Sequence, residues 1–301
     1  MSPIKHLDRA LEQALKSHES TKGPALLSKA IRHAVFPGGA RIRPQLTLAV
    51  ANACGNDDPQ LSMATAIAIE MIHCGSLVHD DLPCFDNAEM RRGQTSVHKE
   101  FGERLAVLAG DALIVMAYQT VAAASRRSAQ RLAPIIKTIS EGVGAPFGII
   151  AGQSWECESQ AVLSDYQRSK TGALFAAATA SGAQAAGADA QTWMGLGEWL
   201  GEAYQIADDI RDVLGDAKFL GKPAGQDEEH HRPSSAKELG LNGAVEHFDT
   251  LVGKAISSIP SCKGDVALKR LVAFEAERLL PSSWFQNDER HIAIVAQRQF
   301  A

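Results

Sequence analysis

The sequence predicts an all-α, single-domain helical bundle, and three observations carry that expectation. Hydrophobic residues make up 45% of the 301, with Ala and Leu prominent and only 3 Tyr. That composition suits helices packed closely through small side chains better than a β-sandwich. Apolar residues recur at helical spacing, most densely from about Leu61 through Ala66, Ile67, Ile69, Met71, Ile72, Leu77 and Val78. That stretch is too apolar to face water throughout. No internal repeat, low-complexity tract or linker divides the chain, so residues 1–301 read as one domain.

Composition also excludes several functions. A net charge of −5 argues against nucleic acid as a partner. Cys54, Cys74, Cys84, Cys157 and Cys262 are odd in number and lack CxxC spacing. They read as reduced thiols, which implies a cytoplasmic protein. No uninterrupted apolar run reaches 18 residues, so no membrane span is expected. The start, Met1 to Arg9, is charged and helical rather than a signal peptide.

In chain order, residues 3–16 form an amphipathic helix with Ile4, Leu7, Leu11 and Leu15 on one face, followed by a polar loop at 18–24. A second helix covers about 24–34. The loop Phe36–Pro44 combines Gly38 and Gly39 with Arg41 and Arg43. Glycines let backbone amides approach an anion, and arginines grip phosphate with two donors. The apolar helix beginning near Leu61 ends at Pro83. Arg91 and Arg92 follow; being adjacent, they point to different faces and can serve two anions. Residues 105–124 form another apolar helix, Gly152-Gln153 begins a further one, and Lys170-Thr171 opens an Ala- and Gly-rich one. A helix through Gly201–Asp216 precedes a glycine-punctuated loop at 219–225 and a polar stretch, Asp227–Pro233. Its Glu228, Glu229, His230 and His231 fit no usual zinc spacing. Two or three helices then run to about Leu280, and the tail 281–301 carries Trp284 and Phe285.

Two rows of acids stand out. Asp80, Asp81 and Asp86 gather where the first long apolar helix stops. Two adjacent carboxylates repel by about 4 kcal/mol at 4 Å in a surface-like dielectric, and burying them uncompensated costs more. A bound cation removes both penalties, and all-oxygen ligation suits Mg²⁺ shared with a phosphate. Taken alone, the pair reads as a solvated helix end; the second row changes that. Asp208 and Asp212 are i,i+4 neighbours with Asp209 beside them, and Gln205 joins Asp208 from three residues earlier. Trp199, Ala203, Ile206, Ile210 and Val213 fall on the opposite, apolar face. Two such helices can face each other across a cavity and clamp metal ions. His73, two turns before Asp80, faces the same way.

In these motifs and their order from about Ser28 to Arg278, the chain resembles the trans-isoprenyl diphosphate synthases, all-α enzymes with two aspartate-rich motifs. The resemblance implies the isoprenoid synthase fold around a central apolar cavity. It implies Asp80, Asp81, Asp86, Asp208, Asp209 and Asp212 as ligands of three Mg²⁺ ions, with Mn²⁺ able to substitute. It makes Asp80, Asp81, Asp208, Asp209, Lys170 and Lys222 the catalytic set. Arg43, His73 and Arg92 would bind isopentenyl diphosphate and Arg91 and Lys222 the allylic diphosphate, with Lys170 neutralising diphosphate and Thr171 and Gln205 also among the substrate-binding residues. The family usually has Lys where this chain has Ala40, so Arg41 is expected to substitute in part. Where relatives have Asp three residues after Gln153, this chain has Glu156; where they have a second lysine, it has Arg232. The family also implies a homodimer, and the tail 281–301 extends beyond most members.

Product length should depend on what precedes the acids by about one and a half turns. Gly75 lies five residues before Asp80, about 7.5 Å along the helix. Shorter-chain members often place an aromatic residue there as a floor; Cys74, Gly75 and Ser76 are expected to leave an opening. With the Gly-Gly-Ala-Arg-Ile-Arg segment, this looks most like the C20 (geranylgeranyl) members of carotenoid and bacteriochlorophyll pathways. A C15 (farnesyl) synthase, a terpene cyclase and a silent regulatory subunit of a heteromeric synthase are the alternatives. Retention of all six aspartates weighs against the last.

Overall fold

The computed structural model describes residues 3–36, 38–159, 162–214 and 235–281. Its helices in chain order are α1 (Pro3–His18), α2 (Ala25–Val35), α3 (Ile42–Ala53), α4 (Pro59–Asp80), α5 (Val97–Phe101), α6 (Glu103–Ala124) and α7 (Leu132–Val143). There follow α8 (Ile149–Ser154), α9 (Leu163–Gln167), α10 (Ala173–Ala185), α11 (Gln191–Leu214), α12 (Ser235–Ser257) and α13 (Asp265–Leu279). The all-α expectation holds with one small addition. Met90–Arg91 (β1) and Gln94–Thr95 (β2) pair as an antiparallel ribbon around Arg92 and Gly93. Both turn residues have positive φ, 52° and 80°, the geometry a two-residue hairpin turn demands.

α4 is the central strut. Asp58 caps it by accepting from the Leu61 amide at 3.2 Å, and Pro59 occupies its first turn. It packs against α6, α3 and α10. Because neighbours surround it, Leu61, Ile67, Ile69, Met71 and Ile72 are all buried although they share no single face. Leu7, Leu11 and Leu15 of α1 are buried as the 3.6-residue period requires, with Leu11 and Leu15 joining the core around α4. A second apolar cluster joins α11, α12 and α13 through Ala203, Ile206, Ile210, Phe248 and Leu279. Val213, expected on that apolar face, lies in the last turn of α11 and is exposed. α12 bends at Gly240, whose φ is 68°.

By length and composition α4 and α6 could each cross a membrane. α4 is instead mostly buried within the protein, whereas α6 leaves Val107, Leu108 and Val115 exposed.

Two local expectations change. Gly152 and Gln153 end α8 rather than begin a helix, and a 3₁₀ turn, Trp155–Cys157, follows. Lys170 lies in a π-helical turn, Arg168–Gly172, just ahead of α10. Single π turns inside helical runs recur at functional sites.

Candidate active site

The first acid row forms because the chain folds back on itself after α4. The Asp86 amide donates to the Asp80 carbonyl at 2.9 Å, returning Asp86 to the helix end. Burial pushes the Asp80 carboxyl up to about 6; Lys170 opposes that shift and the charge of Asp86 reinforces it. Asp81 is buried as well, and its Oδ1 accepts from Arg91 Nε at 2.9 Å and from Arg91 Nη2. Burial raises the Asp81 carboxyl above the usual range despite that partner.

The second row lies on the C-terminal half of α11. Asp209 is 1% exposed, and amides hold both its oxygens. Gln205 Nε2 donates to Oδ1 at 2.9 Å and Gln167 Nε2 to Oδ2 at 3.1 Å. Thr171 Oγ1 in turn donates to Gln205 Oε1 at 2.7 Å. Gln205, expected to share a face with Asp208, donates to Asp209, four residues on. Asp208 and Asp212 are half-buried, and Arg211 Nη1 approaches Asp208 at 3.6 Å.

The end of α9 and the π turn after it join the two rows. Gln167 and Thr171, four residues apart, both reach the Asp209–Gln205 pair on α11. Tyr166 and Lys170, also four apart, face the other way, toward Glu156 and the field of Asp80. A methyl group at Gly152 would collide with the Lys170 backbone, so α8 docks against this turn only because residue 152 lacks a side chain.

A basic cluster stands beside the acids. Arg43 Nη1 lies 3.3 Å from His73 Nε2, and its guanidinium stacks 4.3 Å over the Phe175 ring and 5.6 Å from that of Tyr204. The buried Arg43 Nε has no protein partner. Burial, followed by the cationic charges of Arg43 and Arg92, holds His73 well below the ordinary imidazole range. His73 is therefore neutral at pH 7. Arg92 points away from Arg91, toward Cys74 Sγ at 3.8 Å and Glu70 at 3.9 Å. The adjacent arginines do serve different surroundings.

Arg41 is a correction. Its side chain is fully buried, with Nη1 2.6 Å from Glu70, Nε 3.1 Å from Asp8 and Nη2 donating to the Val35 carbonyl at 2.8 Å. An arginine enclosed by two carboxylates and a carbonyl is a structural cross-link, and it does not take the place of the missing Lys at position 40. Its φ of 53° shows how the residue turns inward before α3.

The expected opening near the acids is also revised. Cys74 Sγ faces the polar cluster of Glu70, Arg41 and Arg92, 3.7–3.8 Å from each. A Cβ at Gly75 would sit 3.1 Å from the Gly110 carbonyl and 3.4 Å from Leu113 Cβ. The missing side chain thus lets α4 and α6 approach closely instead of leaving space. Ser76 Oγ donates back to the His73 carbonyl at 2.9 Å. A small apolar pocket lies among α3, α10, α11, α12 and α13, lined by Ile42, Leu46, Phe175, Tyr204, Phe248 and Val272.

The aspartates fit Mg²⁺ in donor chemistry: they supply only oxygen, and burial, with the charge of Asp86 beside it, penalises the Asp80 carboxylate in a way that a bound cation would relieve. Among the described residues no three His, Cys, Asp or Glu gather into a closed cage. Lys222, the 219–225 loop, the Asp227–Pro233 stretch with Arg232, and Trp284 and Phe285 of the tail lie outside the described residues.

Sequence reasoning missed Glu70, Gln167, Phe175 and Tyr204. Glu70 carried a readable signal, a lone acid among Ile67, Ile69, Met71 and Ile72, which demands a buried cation. The others announced themselves only through their three-dimensional partners.

Comparison with known proteins agrees with this geometry. The polyprenyl synthetase family model matches residues 24–267. Geranylgeranyl diphosphate synthase of Cereibacter sphaeroides is 51% identical over 276 residues, covering 92% of this chain and 96% of the relative. That of Rhodobacter capsulatus is 46% identical, covering 93% and 97%. The crystal structure of a Helicobacter pylori geranyltransferase complexed with magnesium and isoprenyl diphosphate superposes with a TM-score of 0.73 at 29% identity, covering 94% of this chain and 98% of that one. A match over most of the chain, on a helical scaffold that brings two aspartate rows to one π turn, makes this protein a member of the polyprenyl synthetase family.

Proposed function

We propose that this chain is a prenyltransferase that condenses an allylic diphosphate with isopentenyl diphosphate, releases diphosphate and makes geranylgeranyl diphosphate. The observation that carries this reading is the junction of α9 with the π turn, where Lys170 stands on the Asp80 side while Gln167 donates to Asp209 and Thr171 to Gln205. Mg²⁺, when bound, supplies Lewis-acid stabilisation of the departing diphosphate. Asp80, Asp81, Asp86, Asp208, Asp209 and Asp212 would hold it.

Lys170 adds positive charge on the leaving-group side, and Arg91 can turn from Asp81 to the same anion. Arg43, neutral His73 and Arg92 form a separate donor set suited to the second diphosphate. Its Nε without a protein partner gives Arg43 a donor to offer. Phe175 and Tyr204 keep that arginine in place. No protein base is needed, because the released diphosphate can accept the proton lost on condensation. The C20 product is supported by relatives named geranylgeranyl diphosphate synthase at 46% and 51% identity.

A homodimer through α6 is part of the same reading, supported by its exposed Val107, Leu108 and Val115. Five free cysteines agree with a reducing cytoplasmic location. Incubating the purified chain with farnesyl or shorter allylic diphosphate, isopentenyl diphosphate and Mg²⁺ tests the reading. Dephosphorylated products should chromatograph as a C20 alcohol. A sole C15 alcohol overturns the length assignment, hydrocarbon from the allylic diphosphate alone indicates a cyclase, and absence of turnover overturns the reading.

A further inference from the structure

Glu156, Tyr166 and Lys170 form a closed triangle at the edge of the first acid row. The Lys170 ammonium pairs with Glu156 Oε1, and Tyr166 OH donates to the same oxygen at 2.7 Å. The ammonium also lies 5.5 Å from the centre of the Tyr166 ring. Each member comes from a constrained element. Tyr166 and Lys170 are one turn apart across the α9–π-turn junction, and Tyr166 is 4% exposed. Glu156 sits in the 3₁₀ turn after α8, which Gly152 seats on the Lys170 backbone. Glu156 and Lys170 keep about a fifth of their side-chain surface open. The pair is reachable by an anion, yet the lysine is not free to swing. The fields of both reach Asp80, with opposite sign.

We propose that Glu156 is a positioning residue. Braced by the Tyr166 hydroxyl, it fixes where the Lys170 ammonium stands, so that the cation meets charge as it develops on the leaving diphosphate. A long flexible lysine would otherwise sample many rotamers, and fixing it beforehand removes that cost from the reacting complex. The carboxylate has a second consequence. It opposes the resting binding of a polyanion, so its net benefit falls on the transition state and not on ground-state affinity. This inference rests on the prenyltransferase reading above.

Two measurements on the full chain test it: steady-state kinetics, and binding of inorganic pyrophosphate to metal-free protein by calorimetry. For Glu156→Gln, kcat should fall about 10- to 100-fold, while pyrophosphate binds about threefold tighter or more because a repelling charge is gone. A merely structural lesion would weaken both together. Glu156→Asp should recover most of kcat, and Tyr166→Phe should lower kcat about threefold to tenfold without altering the fold. In a Lys170→Gln background, Glu156→Gln should cause no further loss of kcat. Unchanged kcat, parallel loss of kcat and pyrophosphate affinity, or additive losses in the double variant overturn the proposal. Should Glu156→Gln fail to fold, Tyr166→Phe decides: wild-type kcat in that variant overturns it. An inactive wild-type chain is the separate failure of the prenyltransferase reading, and the pyrophosphate measurement is read independently of it.

Discussion

The Arg91 guanidinium is bound to Asp81, with Nε 2.9 Å from Oδ1 and Nη2 on the same oxygen. A carboxylate proposed as a metal ligand thus has a cation partner within the protein, and the arginine proposed for diphosphate has an anion partner. Each keeps the other from being a lone buried charge. Substrate and metal can then replace one pairing by two. Arg91→Ala should lower the stability of the metal-free protein by about 1.5–3 kcal/mol, the range for a charge-assisted hydrogen bond. Thermal denaturation with and without excess Mg²⁺ and pyrophosphate checks this, and the added ligands should recover part of the loss.

Asp209 is almost wholly enclosed by two amides. Asp209→Asn preserves its shape but turns one accepting oxygen into a donor facing Gln205 or Gln167. The expected loss in kcat is about 10²- to 10³-fold, the scale for removing one preorganised electrostatic contact. Gln167→Ala should cost less than Asp209→Asn. A Gln167→Ala enzyme as impaired as Asp209→Asn would show that orientation, not charge, dominates at this carboxylate.

Arg41 and Arg43 are two residues apart and should behave oppositely. Arg41→Met removes the nearer cation from buried Glu70 and leaves it only Arg92 at 3.9 Å, and destabilisation toward about 3–5 kcal/mol, the scale for breaking a buried pair, is expected. Among molecules that remain folded, KM for isopentenyl diphosphate should stay near wild type. Arg43→Met should raise that KM by about tenfold or more with a smaller stability loss. Denaturant titration combined with steady-state kinetics separates the two, and a KM effect confined to Arg41→Met would reverse the assignment.

Gly75 is the contact point of α4 with the Gly110 carbonyl of α6. Gly75→Ala should destabilise by about 1–3 kcal/mol through overpacking. Gly75→Phe or Tyr must push further along the α4–α6 seam, and the product should shorten from C20 toward C15. An unchanged product in a folded aromatic variant would mean that chain length is set elsewhere.

Leu108 and Val115 lie seven residues apart on the exposed face of α6. Leu108→Glu combined with Val115→Glu should shift a dimer to monomers in sedimentation experiments, while secondary structure is retained. A doubly charged face that still sediments as a dimer would place the interface on another surface.

The all-α class, the two acid rows and the helices that carry them were legible in the sequence. They depend on local rules: a 3.6-residue period, Pro83 as a helix stop, and carboxylates at i and i+4. The family follows from the same residues in the same order. What the linear chain could not show was direction. Arg41 looked like a phosphate ligand because its loop is glycine-rich. A left-handed backbone turn and a buried Glu70 send it inward. Gly75 looked like an opening because shorter-chain family members often carry an aromatic residue there, and the linear chain does not show which helix stands opposite. Gln205 shares a helix face with Asp208 on paper, and in space it holds Asp209, with Gln167 arriving there from the end of α9 and Thr171 from the π turn. Sequence alone determined which groups are present and on which helices. Tertiary packing alone decided which charges are already matched inside the protein and which remain to meet an anion, because that matching depends on contacts between segments far apart in the chain.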